Sequence, residues 1–129
     1  MPENIRIEHD FTTTAERLWE IVGTPDNVSW VPGVERCTFD GEVRRFIMTG
    51  AGDLAERILE RNDAQRLLRY GVIESSPPLA EHEAAIEVKQ TETGARMIWT
   101  TRVSPGAVAP FIEQRMQQSL AQLESVLQA

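Results

Sequence analysis

The chain has 129 residues, 41% of them apolar, with a formal charge of −7 and a sequence pI near 4.8. That length suits one domain, 1–129, and the apolar share is ordinary for a globular protein. The 13 Lys and Arg are scattered among 20 Asp and Glu, which argues against the basic face of a nucleic-acid binder. No apolar run approaches the roughly 20 residues of a membrane span, so membrane insertion is not expected. The first residues mix charges and lack the apolar core of a signal peptide. Cys37 stands alone, which rules out an internal disulfide and makes a reducing cytoplasm the expected location.

Residues 4–11 alternate, with Ile5, Ile7, His9 and Phe11 on one face and charged or polar residues on the other, as in a half-buried strand. Thr13 followed by Glu16 forms a capping box. Ala15, Leu18, Trp19 and Val22 then have the spacing of a short amphipathic helix that Gly23 stops. Thr24 and Pro25 predict the start of a second short helix through about residue 29, and Val31, Pro32 and Gly33 break the chain again. Strands follow at 35–40 and 43–49, joined at Asp40 and Gly41, and at 54–61 after a turn at 51–53. Further strands are predicted at 66–73, 81–90 and 95–103, with a stiff loop at 75–78 and a turn at Thr93 and Gly94.

Residues 107–128 form the last element. Ile112, Met116, Leu120, Leu123 and Leu127 trace one stripe of a helix, with Glu113, Gln117, Gln118, Gln122 and Glu124 on the polar side. The fold class is therefore α+β: a seven-stranded curved antiparallel sheet wrapped around a long C-terminal helix, with two short helices between the first two strands.

This order of elements resembles the START-type helix-grip superfamily (SRPBCC), and the motifs resemble its polyketide cyclase/dehydrase and lipid-transport branch. The resemblance rests on the helix Ala15-Glu16-Arg17-Leu18-Trp19 and on Trp30-Val31-Pro32-Gly33-Val34. It continues through Leu54-Ala55-Glu56-Arg57, Arg66-Leu67-Leu68-Arg69-Tyr70 and Met97-Ile98-Trp99-Thr100, so that nearly the whole chain is covered. It implies an elongated, mostly apolar cavity between sheet and helix, which ligands enter near the short helices and the strand loops. The family holds both carriers and enzymes, so the fold does not supply the function.

Period-two alternation places Ala84, Ile86 and Val88 inward on one strand and Met97, Trp99, Thr101 and Val103 inward on the next. Leu68, Tyr70 and Val72 form an inner set, as do Leu54, Glu56 and Ile58, although a bulge would invert either assignment. Glu56, Tyr70 and His82 are thus the candidate catalytic set. A carboxylate or imidazole could act as a base, and a phenol could donate to a developing oxyanion. The plainer readings are an ion pair of Glu56 with Arg44 or Arg57, a rim position for His82 and a wall position for Tyr70.

The expected cavity wall consists of Trp30, Phe46, Met48 and Tyr70, with Trp99, Ile112 and Met116. Trp30 is the residue best placed to gate it. Cys37 alternates with Phe39 toward the interior and reads as a small buried hydrophobe. Two histidines and one cysteine, widely separated, give no metal-ligand spacing, and neither a phosphate loop nor a nucleophile elbow is present. No cofactor is expected.

Two functions follow. The favoured one is a protein that binds or carries a small hydrophobic molecule, aromatic, polyketide-like or lipid-like. The alternative is a cofactor-independent cyclase, dehydratase or isomerase using Glu56, Tyr70 and His82. No exposed apolar stripe calls for a homodimer, and that state stays open.

Overall fold

Alternating side chains give nearly half of the chain to strands, and the computed structural model of residues 2–49, 52–76 and 78–128 shows them joined in one sheet. In chain order the elements are β1 (Glu3–Phe11), α1 (Ala15–Val22), β2 (Val34–Phe39), β3 (Val43–Met48) and β4 (Gly52–Asn62). They continue with β5 (Leu67–Glu74), β6 (Glu81–Gln90) and β7 (Ala95–Ser104), a 3-10 turn at Gly106–Val108 and α2 (Ala109–Gln128). Among the described residues the sheet has seven strands in the order β1-β7-β6-β5-β4-β3-β2, and every neighbouring pair is antiparallel. The predicted turn at 51–53 and loop at 75–78 lie partly outside the described residues, at Ala51 and Pro77.

Register shifts bend the sheet into a curve. Two fall in β4, between Ala55 and Glu56 and between Ile58 and Glu60, and one falls in β2, between Val34 and Arg36. Such bulges increase local twist. The 20 residues of α2, about 30 Å of helix, cover the inner face. Met116, Leu120 and Leu123 of α2 share one apolar core with Ile86, Val88, Met97 and Val103 of the sheet. The same core takes in Ala15, Leu18, Trp19 and Val22 of α1.

Three expectations need correction. The cap of α1 is Thr14, whose side chain accepts from Arg17 N at 3.1 Å, rather than Thr13. No second short helix lies between α1 and β2. Residues 24–31 form turns instead, in which Asn27 N donates to Thr24 O and Val31 N to Val28 O, both at 3.0 Å. A helix of that length could satisfy few of its own backbone groups, whereas the turns let Trp30 enter the core, where it is 4% exposed. Cys37 is half-buried rather than buried, because β2 is an edge strand with β3 as its one neighbour.

Gly23 also acts differently from a left-handed cap. Its φ of −90° is one any residue adopts, but a side-chain carbon there would lie 2.5 Å from the Trp19 ring. Trp19 itself is fixed by its Nε1–H, which donates to Asp63 Oδ1 at 2.9 Å.

Candidate functional site

The stripe on α2 stops short of filling the inner face, and a cavity of about 280 Å³ remains between the helix and the sheet. Phe46, Met48 and Leu54 line it from β3 and β4, and Trp99 from β7. Ile112 and Met116 close it from α2, and Trp30 from the turn before β2, its ring 5.3 Å from that of Trp99. Each residue expected on the wall is therefore on it, with Tyr70 among them. Residues of the 28–34 and 75–79 loops and the first turn of α2 also border the cavity, the end at which the resemblance placed ligand access.

Register brings the polar groups together. Arg44 of β3 stands directly opposite Glu56 of β4, and Arg44 Nε donates to Glu56 Oε1 at 2.8 Å. Both side chains are nearly buried, 9% and 12% exposed. Arg44 also donates to Pro25 O at 2.9 Å, and its guanidinium carbon lies 4.7 Å from the centre of the Tyr70 ring. The turn that replaced the expected second helix thus supplies an acceptor for a buried cation. Arg57, the other partner considered for Glu56, faces Glu42 at 3.6 Å.

Tyr70 is buried, and its hydroxyl accepts from Trp99 Nε1 at 3.1 Å. Burial pushes its pKa well above the ordinary tyrosine range; the Glu56 carboxylate adds to the rise, and Arg44 opposes it. The phenol therefore stays protonated and can donate into the cavity.

His82 takes up the end of a ladder. The β5–β6 register ends at Tyr70 opposite Ala84, and beyond it Val72 N donates to His82 Nδ1 at 3.2 Å. Gly71 makes this approach feasible, since a side-chain carbon there would lie 2.6 Å from the His82 carbonyl oxygen. Burial lowers the His82 pKa, with the Glu56 carboxylate partly opposing. With Nδ1 accepting from the backbone, the neutral ring carries its proton on Nε2 and is a donor at that atom.

Glu56, Tyr70 and His82 all border the cavity, as the strand alternation implied. They do not form a set with a free base, since Glu56 holds Arg44 and the unprotonated nitrogen of His82 holds Val72 N.

Sequence reasoning passed over three residues of α2 that border the cavity, Phe111, Arg115 and Ser119. Ser119, 3% exposed, donates to Arg115 O at 3.0 Å. Arg115 lies three residues after Ile112 and Ser119 three after Met116, so helical spacing was the signal that could have found these two. Likewise, two residues read as the outer face make contacts. Gln122 Nε2 donates to Ser29 O at 2.8 Å, and Glu124 Oε1 lies 3.3 Å from His9 Nε2.

The family described as polyketide cyclase / dehydrase and lipid transport matches residues 3–128. The chain belongs to that family. No curated protein matches it. As a member of the polyketide cyclase/dehydrase and lipid-transport family it shares its fold with solved structures of low identity. An uncharacterised protein from Bacillus thuringiensis is 20% identical with a TM-score of 0.88, over 98% of this chain and 100% of the other. The protein XoxI from Bacillus cereus is 18% identical with a TM-score of 0.86, over 95% and 94% of the two chains. A protein from Nitrosospira multiformis is 14% identical with a TM-score of 0.80, over 95% and 94%. These likenesses establish the helix-grip architecture of this family member. Among its described residues, no helix is long and apolar enough to cross a membrane. Nor do three or more His, Cys, Asp or Glu side chains gather there as metal ligands would.

Proposed function

We propose that the protein binds a small hydrophobic molecule, polyketide-like or lipid-like, in the cavity between its sheet and α2, and acts as a carrier. The observation behind this reading is a mostly apolar wall whose one carboxylate among the described residues, Glu56, is locked to Arg44 at 2.8 Å. Small-molecule sites are commonly apolar, with a few placed polar groups that fix orientation. The Tyr70 hydroxyl and the His82 Nε2–H are groups of that kind. The test is native mass spectrometry of freshly purified protein, followed by denaturation and identification of what is released. A stoichiometric hydrophobic compound is the expected result, and a clean unliganded mass would count against a tight carrier.

The second reading is a cyclase, dehydratase or isomerase in which Tyr70 and His82 polarise a ligand carbonyl. It is favoured by their closeness, with ring centres 6.2 Å apart. Glu56 would then act through Arg44, holding that cation under the Tyr70 ring. A compound recovered in altered form after incubation with wild-type protein, and unaltered after incubation with Tyr70→Phe, would move the conclusion to catalysis.

A further inference from the structure

The charged groups bordering the cavity do not cancel. Arg44 and Glu56 neutralise one another, and His82 is held neutral by its bond from Val72. Arg115 is left over. Among the described residues no carboxylate lies within 4.0 Å of its guanidinium, whose contacts are Met48 Sδ at 3.8 Å and the Phe111 ring at 5.9 Å. Most other arginines of the chain do have a carboxylate partner, Arg45, Arg96 and Arg102 at 2.7–2.9 Å among them. Arg115 is also half-buried, so the cation is partly withdrawn from water yet unpaired.

We propose that Arg115 selects a ligand carrying a carboxylate on its apolar body, with the carboxylate at the guanidinium and the body against Phe46, Trp99 and Met116. This inference rests on the cavity's being a ligand site. A guanidinium matches a carboxylate with two parallel hydrogen bonds. The rest of the protein gives an anion no help, since its formal charge is −7. Any preference for a negative ligand must therefore come from a local cation, and Arg115 is the unbalanced one on the wall. The Tyr70 hydroxyl and the His82 Nε2–H remain as donors to a further oxygen of the same ligand.

The test uses two probes of nearly equal size, 2-naphthoate and 2-naphthalenemethanol, titrated calorimetrically into wild-type protein, Arg115→Gln and Arg115→Lys. Wild type is expected to bind the carboxylate about tenfold or more tighter than the alcohol, the scale of one charge-assisted hydrogen-bonded pair. Arg115→Gln is expected to abolish that preference by weakening the carboxylate about tenfold more than the alcohol, and Arg115→Lys to retain part of it. Equal or tighter binding of the alcohol by wild type overturns the inference even if the variants fail to fold, and so does a preference that survives Arg115→Gln. Those outcomes leave the cavity itself standing as a ligand site. Binding of neither probe overturns the cavity reading and this inference together.

Discussion

Removing one partner of the Arg44–Glu56 pair should reveal whether it is a structural lock. The pair is nearly buried, and breaking such a pair usually costs about 3–5 kcal/mol, because the remaining charge is left without compensation. Arg44 would keep Pro25 O and the Tyr70 ring, so Glu56→Ala belongs at the low end, about 3 kcal/mol. Arg44→Met would leave Glu56 facing a cavity that can admit water, at about 2 kcal/mol. Once both charges are gone neither is stranded, so the double variant should lose about 3 kcal/mol rather than 5, a coupling of about 2 kcal/mol. The assay is urea denaturation of the four proteins, with the slope checked for constancy. In a chain of this size Glu56→Ala should also lower Tm by roughly 10 °C. Arg45→Ala, at a pair whose side chains are 55% and 62% exposed, serves as a control expected to cost less than about 1 kcal/mol. Additive losses, with coupling under about 0.5 kcal/mol, would refute the lock and return Glu56 to the status of a free carboxylate.

Two further outcomes follow from the titrating groups. Burial holds the His82 pKa below its ordinary value, so below about pH 6.5 the unfolded chain binds a proton the native state refuses, and stability falls as the pH drops. His82→Asn, whose amide oxygen can accept from Val72 N, should flatten the urea midpoint between about pH 6.5 and 5 relative to wild type; parallel curves would exclude His82 as the cause. Burial raises the Tyr70 pKa, so stability is retained below the ordinary tyrosine value of about 10 and lost as the pH rises above it. Tyr70 is the chain's one tyrosine, so phenolate absorbance at 295 nm should appear together with loss of the near-ultraviolet circular dichroism of the tryptophans. Ionisation of a chain that is still folded would contradict the buried hydroxyl.

The strands were legible because burial on one face of a sheet writes a period of two into the chain. Residues 81–90 coincide with β6, and the inward assignments of Ala84, Ile86, Val88, Met97 and Trp99 hold. The stripe from Ile112 to Leu127 foretold α2 in the same way. Local signals failed where neighbours compete for one role. Thr12, Thr13 and Thr14 all carry a hydroxyl able to cap a helix, and only the geometry of the chain entering α1 selects Thr14. The pair Thr24 and Pro25 signals a helix start, but the gain from burying Trp30 against Trp99 lies in residues far apart in sequence. Cys37 shares its strand face with Phe39 as the alternation implies, yet the edge position of β2 leaves it half-exposed.

By itself, then, the sequence determined the seven strands, α1 and α2, their inward faces and the apolar residues expected on the cavity wall, since periodicity is written by which side of each element avoids water. The tertiary structure alone decided what those residues do there. Whether Glu56 meets Arg44 or Arg57 depends on the β3–β4 register. Which nitrogen of His82 is spoken for depends on where the β5–β6 ladder stops. That Arg115 meets no carboxylate among the described residues depends on distances across the inner face. Such pairings join residues far apart in sequence, and hydrogen bonds and ion pairs act over a few ångströms, so no local pattern could specify them.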